Sequence, residues 1–406
     1  MRFLLRKTLF PLLAAAACGF GAGAFAAGQR MAPAISIDIP APFPQPRAAF
    51  EEAVDILSKQ SYNSNLNDEI IYYSAIQGVL RQLSPSNNKD LLEIWPPEVE
   101  EKVVKANITG VVGSIGVRLL YDSAAGVAIV SDVIPGTPAE RKGLRLRDRI
   151  TAIDGIPLRG KALGDVLPMI QKPVGTEIRL ALLRGGKPFD VALECEQVKL
   201  DDVRGEVFEG VGLIRIRNFS QDVMTDLAKQ AAELRAKKVH GFILDLRNNA
   251  GGVFDVARRV AEQFLRRGAT IFYTVGRDGG ALRYESAIDG DVQTPVVVLV
   301  NDKTASVSET LAAALQDNKR AAVVGVRTKG KGTILQKATL KNGYTMTFVT
   351  DMLYRPNGEL WQGRGIAPDK TVEMDPALLD EANMEEDAAK RLALDVQLDA
   401  AMKLLR

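Results

Sequence analysis

Three short stretches hold residue types that could do chemistry at a carbonyl. In "KTASVSETLAAAL", residues 303 to 315, Ser306 stands between an apolar strand-like run, "TPVVVLVN", and an apolar helix-like run. A helix start offers exposed N–H groups and a positive dipole end, both suited to a developing oxyanion. In "TKGKGTIL", Lys331 is bracketed by Gly330 and Gly332. A lysine crowded into a partly apolar site loses solvation, and its neutral amine can then act as a base near neutral pH. In "DLRNNAGG", residues 245 to 252, a buried-strand pattern ends at Gly251-Gly252. Backbone N–H groups at such a turn can hold an anion. Each stretch also has a purely structural reading. Ser306 and Glu309 fit the S-x-x-E capping box. Lys331 fits a surface turn, and Asp245, Arg247 and Asn248 fit side chains that tie a turn down.

The histidine count bears on the choice. The chain has one histidine, His240, in "KKVHGFILDL". A Ser-His-Asp enzyme would have to use it as base, yet its place before an apolar strand suits a solvent-facing or capping role better. A serine–lysine pair accounts for an enzyme nearly empty of histidine.

The elements that must position these residues belong to a globular chain of 406 residues, 46% hydrophobic and 25% charged, long enough for about two or three domains. Arg2, Arg6 and Lys7, the apolar "LFPLLAAAACGFG" and Ala24-Phe25-Ala26 read as an export signal over 1–26. "AAAC" ending at Cys18 weakly resembles a lipid-attachment box and ranks below simple cleavage. The apolar run is shorter than the ~20 residues a membrane span needs. Removing the signal takes three of 52 basic residues and none of 50 acidic ones, leaving 49 against 50. That balance gives no electrostatic case for nucleic acid. One cysteine, Cys195, then remains, so no internal disulfide can form, and its alternating surroundings mark it as a packing residue.

Residues 27–46 form a Pro-rich arm, with five prolines in "MAPAISIDIPAPFPQP". Residues 47–106 carry apolar residues three and four apart and predict helices. Residues 107–198 alternate short β-like runs with Gly and Pro and predict a compact, mostly β domain. Residues 199–374 alternate strands and helices and predict a layered α/β core. Residues 375–406 predict amphipathic helix.

Together, in order, the three stretches resemble the carboxy-terminal processing peptidases, or tail-specific proteases. "DLRNNAGG", "TASVSE" and "TKGKG" match that family's Asp-Leu-Arg-x-Asn-x-Gly-Gly turn, its serine segment and its Gly-Lys-Gly segment. "GSIGVRLL", "VIPGTPAERKGLRLRDRITAIDGIPLRG" and "VGTEIRLALLRGGK" resemble a PDZ domain, and "RPNGELWQGRGIAPD" and "DVQLDAAMKLL" resemble the family's closing segments. The resemblance covers about residues 47 to 406. It implies an α/β protease core, a layered mixed sheet with helices, an inserted mostly-β PDZ domain at 107–198, and helical N- and C-terminal segments. It implies Ser306 as nucleophile, Lys331 as base, and the backbone N–H groups of Val307 and of Gly251 or Gly252 as oxyanion donors. No metal or cofactor is expected. The PDZ domain would capture substrate C-termini near Ser114, Ile115, Gly116 and Val117 by strand addition, with Ile115, Val117 and Leu119 lining an apolar groove. An adaptor protein is a further candidate partner, self-association through the terminal helices is expected, and the place of action is the periplasm or cell envelope.

The chain departs from the family pattern in places. A glutamine that orients the lysine falls four residues after it in the family. Here Leu335 takes that position and Gln336 the next, and a one-residue shift in a strand reverses the face unless a bulge restores it. Lys329 replaces a phenylalanine, Arg147-Asp148 a Gly-Asp, and "LSPSN" from Leu83 to Asn87 the family's Leu-Asp-Pro-His-Ser. The leading expectation is an exported serine endopeptidase with a Ser306–Lys331 dyad and Gln336 in support. The alternatives are a catalytically weak or inactive PDZ scaffold of the same fold, and an unrelated acyl-CoA-handling α/β enzyme.

Overall fold

The computed structural model describes residues 42–62, 65–83, 92–97 and 109–406. The export signal, Cys18, most of the Pro-rich arm and most of "LSPSN" lie outside the described residues. Helix α1 (Pro46–Gln60) starts on a proline, whose fixed φ and missing N–H cost nothing at a first helical position. It packs on α2 (Asp68–Leu83), where Phe50 and Tyr72 meet edge to face. A short strand, β1 (Ile94–Trp95), follows.

The next unit folds around its own core, running from Ile115 to Cys195. Its elements are β2 (Val111–Ser114), β3 (Val117–Asp122), β4 (Val127–Val133), α3 (Pro138–Arg141), β5 (Arg149–Ile153), β6 (Ile156–Pro157), α4 (Leu163–Ile170), β7 (Glu177–Arg184), β8 (Lys187–Glu194) and β9 (Glu196–Lys199). Strand order is β3-β4-β5-β7-β8, with β6 on β5. Along β7 alternate residues Ile178, Leu180 and Leu182 turn inward, the period of two that a strand imposes. Entry and exit strands β2 and β9 pair antiparallel, which closes the insertion at its neck. Arg147 adopts φ 69 where the resembling family has glycine, and the buried Asp148 carboxylate beside it takes a bidentate bond from Arg184.

The remaining chain holds β10 (Val203–Phe208), β11 (Val211–Ile216), α5 (Val223–Ala236), β12 (Phe242–Asp245), α6 (Phe254–Glu262), β13 (Thr270–Gly276), β14 (Ala281–Glu285), β15 (Val296–Val300), α7 (Val307–Asp317), β16 (Ala322–Gly325), β17 (Thr333–Thr339), β18 (Thr345–Tyr354), β19 (Lys370–Thr371), α8 (Pro376–Asn383), α9 (Ala388–Leu394) and α10 (Val396–Leu405). A six-stranded sheet runs β10-β11-β12-β15-β16-β19, parallel from β11 onward. Its middle strands, "FILD" and "VVVLV", are buried at every residue, as parallel strands covered on both faces must be. Helices α5 to α7 contribute to the core on one face, and α10 lays Leu398, Ala401 and Met402 on the other. A second sheet, β1-β18-β13-β14 with β17 on β18, flanks them.

This topology gathers the three stretches. Asp245 of β12 is in register with Leu299 of β15, and Leu299 with Val324 of β16. The strands are parallel, so the turns after β12, β15 and β16 leave the same edge of the sheet, where α/β folds commonly place their sites.

Candidate active site

Ser306 sits in the turn between β15 and α7 with φ 60 and ψ −125, a strained conformation for a residue with a side chain. Strain of this kind persists where surrounding contacts enforce it, and it clusters at functional sites. Only half of the expected capping box forms. The Ser306 N–H donates to Glu309 Oε2 at 2.8 Å, but Ser306 Oγ makes no cap hydrogen bond. The capping shared with Thr304 or Ser308 does not occur either. Thr304 Oγ1 accepts from Asn301 N–H and donates to the Leu246 carbonyl, while Ser308 Oγ has no partner among the described residues. The serine hydroxyl is therefore free of the helix it begins.

The glycine turn lies against it. A Cβ on Gly251 would stand 3.0 Å from Ser306 Cβ and 3.4 Å from its Oγ. A Cβ on Gly252 would stand 2.6 Å from the Phe219 carbonyl oxygen, and both glycines have positive φ, 114 and 143. Only glycine fits there. Gly251 N–H donates to Asn249 Oδ1 at 2.9 Å. Among the described residues, the N–H groups of Gly252 and Val307 have no partner. The Ala305 N–H donates to the Asn249 carbonyl at 3.0 Å, tying the turn to the serine loop.

Beneath the turn, Asp245, Arg247 and Asn248 do tie the backbone down. Arg247 donates to both Asp245 and Asp395 carboxylates at 2.8–2.9 Å, all three side chains being buried. Burial alone would raise the Asp245 carboxyl, but Arg247 and Arg215 hold it far below the ordinary range. Asn248 and Asn301 exchange hydrogen bonds at 2.9 and 2.8 Å.

Lys331 is half-buried in the loop between β16 and β17. Burial lowers its pKa, the like charge of Lys329 lowers it further, and Glu309 opposes both. Among the described residues its amine makes no hydrogen bond or ion pair, and no bond joins it to Ser306 Oγ. The resting pair is open, as catalytic contacts often are before substrate binds.

Among the described residues, no hydrogen bond joins Gln336 to the lysine. A register shift does occur, between Ile334 and Leu335, but the unpaired residue is Thr350 on β18. No residue is added to β17, so the face of Gln336 is unchanged. Leu335 packs with Leu80 and Ile94, while Gln336 is exposed and its side chain makes no hydrogen bond among the described residues. A different glutamine touches this loop: Gln362 Oε1 accepts the Gly332 N–H at 2.7 Å. Sequence reading passed over Gln362, and it passed over Asp395 because the ion pair with Arg247 spans 148 positions.

His240 is exposed at the start of β12, at the opposite end of the sheet from Ser306, which excludes it as the serine's base. Cys195 is wholly buried, and burial raises its thiol pKa. In the inserted domain, Ser114 and Gly116 lie at the join of β2 and β3, and β3 is an edge strand. The side chains expected to line the groove do not: Ile115 is 0% exposed, and Val117 and Leu119 are 8% exposed, because all three fill the domain core.

Comparison with known proteins identifies the family of the core and of the inserted domain. The profile of peptidase family S41 matches residues 210–372, and that of a PDZ domain matches residues 129–184. The carboxy-terminal-processing protease of Bartonella bacilliformis is 30% identical over 315 residues, covering 76% of this chain and 70% of that protein. The carboxyl-terminal-processing protease of Synechocystis sp. is 31% identical over 340 residues, covering 82% and 76%. Among solved structures, a photosystem II D1 C-terminal processing protease superposes with a TM-score of 0.51 at 25% identity, covering 86% of this chain and all of that one. The chain belongs to peptidase family S41, as a serine protease of the carboxy-terminal-processing group carrying a PDZ domain.

Proposed function

We propose that the chain is an exported serine endopeptidase of the cell envelope or periplasm that works through Ser306 and Lys331. The observation that carries this reading is the strained, uncapped Ser306 beside two unpartnered N–H groups, with a desolvated lysine on the adjoining loop. Lys331 in its neutral form takes the Ser306 hydroxyl proton, and Oγ attacks the peptide carbonyl. The oxyanion is held by the N–H groups of Val307 and Gly252, while Gly251 gives the substrate close approach. The lysine returns its proton to the leaving amine. Water then gives a proton to Lys331, its hydroxide adds to the ester, and Lys331 returns that proton to Ser306 Oγ as the acyl–oxygen bond breaks and the acid leaves.

Substrate C-termini would add as a strand on the free edge of β3. Backbone groups near Ser114 and Gly116, rather than the enclosed side chains, would take the carboxylate. Of the terminal helices, α10 is already packed on its own sheet, so self-association falls to α1 and α2. These expose Phe50, Ile56, Leu57, Tyr72 and Tyr73.

A second reading rests on the exposed Gln336 and the open Ser306–Lys331 pair: a scaffold of the same fold with little or no activity. One experiment separates the two. Purified wild type and Ser306→Ala are incubated with an unfolded protein ending in an apolar tail, and products are read by mass spectrometry. Cleavage by wild type alone supports the peptidase. Cleavage by neither supports the scaffold, and equal cleavage by both removes Ser306 as nucleophile.

A further inference from the structure

Glu309 does more than a capping residue needs to do. Its side chain is 0% exposed, and both carboxylate oxygens are fully used. Oε2 accepts the N–H of Ser306 and the N–H of Lys331, each at 2.8 Å. Oε1 accepts the Gly330 N–H at 2.7 Å and the Thr328 hydroxyl at 2.5 Å. Thr328 Oγ1 in turn accepts the Ile366 N–H at 2.7 Å. A single oxygen thus joins the backbones of the two residues assigned to catalysis.

A capping box accepts glutamine as well as glutamate, because one acceptor oxygen suffices. Burying an ion without a counter-charge is costly, and among the described residues no cationic nitrogen pairs with this one. The Glu309 carboxylate acts on the Lys331 amine, and Lys329 acts on that amine in the opposite sense. From α6, β13 and β16, which pack against the same helix, no described cationic side chain pairs with it. The partners explain why an anion is needed. Three of the four are backbone N–H groups, which can only donate. An amide in place of the carboxylate would turn an NH₂ toward at least one of them, leaving two donors face to face.

We propose that Glu309, as a carboxylate, is the positioning residue that fixes the nucleophile loop against the base loop, so that turnover requires it ionised. The inference rests on the Ser306–Lys331 reading above. Glu309 does not touch substrate, so its loss should lower kcat and leave KM nearly unchanged. A displacement of about 1 Å between reacting groups costs on the order of 100-fold.

The sign of its titration separates this role from stability. Burial raises the Glu309 carboxyl, opposed by its four hydrogen bonds. A carboxyl whose folded pKa is raised favours the folded state as pH falls, so its protonation stops catalysis without unfolding the chain.

The test compares pH profiles of kcat/KM for wild type, Glu309→Gln, Thr328→Val and Ser306→Ala on a quenched peptide, with melting temperatures measured alongside. The wild-type acid limb should steepen from slope one to slope two while the melting temperature holds. Glu309→Gln should fall about 100-fold in kcat, keep slope one, and begin its limb at lower pH, because the anion that raised Lys331 is gone. Thr328→Val removes one donor to Oε1, so its steep limb should move to higher pH, which tests the idea even if Glu309→Gln fails to fold. Wild-type kcat in Glu309→Gln, or an unmoved limb in Thr328→Val, overturns the inference and leaves the dyad standing. Activity in Ser306→Ala overturns the dyad itself.

Discussion

At the scale of single residues, the proposed dyad depends on a lowered Lys331 pKa. Burial does most of this, and Lys329 adds to it. Lys329→Gln should therefore raise the Lys331 pKa and move the acid limb of kcat/KM to higher pH, a shift that high salt should reproduce in wild type by screening the same charge. Ser306→Ala and Lys331→Ala should each abolish cleavage, and the double variant should be no worse, since residues acting as a unit are not additive. Lys331→Met should also melt at or above the wild-type temperature at neutral pH. A lysine whose folded pKa is lowered costs stability below that pKa, and the cost fades only as pH rises toward the unfolded value. Full activity in Lys331→Ala would remove the base. Gln336→Ala should be silent in kcat, because its exposed side chain makes no hydrogen bond to Ser306 or Lys331 among the described residues; a drop of ~10-fold or more would restore the orienting role.

At the scale of elements, the glycine turn depends on a helix 148 positions away. Arg247 bridges Asp245 under the turn to Asp395, the residue that caps α10. Breaking a buried ion pair from one side leaves an uncompensated charge, at a cost of about 3–5 kcal/mol. Asp395→Ala should lose stability of that order in a denaturant titration and most of its activity with it. An Asp395→Ala protein of wild-type stability would show that the turn stands alone. The acidic side of the same network has a definite sign. The Asp245 carboxyl is held low by its arginines, so its contribution is present above the ordinary carboxylate range and lost as pH falls below it.

At the scale of the whole molecule, the four buried clusters are tied together by contacts between elements far apart in the chain. The inserted domain meets the protease core through Arg118, which donates to the Asp201 carbonyl at 2.7 Å, and through Arg204, 3.4 Å from Asp132. Removing residues 376–406 strips Leu398, Ala401 and Met402 from the sheet and leaves Arg247 with Asp245 but without Asp395. Such a truncation should unfold or aggregate rather than yield an active monomer. The exposed apolar side chains of α1 and α2 are the surface left for association. Light scattering of the mature chain at micromolar concentration should give a dimer or larger, and Ile56→Glu with Leu57→Glu should reduce it. A wild-type monomer would assign those helices to another role.

The sequence by itself determined the family, the order of the parts, the buried strands "FILDL" and "VVVLV", and the short list from which Ser306, Lys331 and the Gly251-Gly252 turn came. These are local signals: a run of apolar residues, a turn composition, a motif of fixed spacing. It also marked Glu309 as a cap, since that bond spans three residues. Tertiary structure alone decided the rest. Whether Glu309 reaches Lys331, whether Leu335 or Gln336 packs inward, and whether α10 packs on its own sheet depend on strand register and on contacts across many positions. The expectation for Ile115, Val117 and Leu119 failed for the same reason: an apolar residue in an edge strand can face a groove or a core, and only the packed domain selects one.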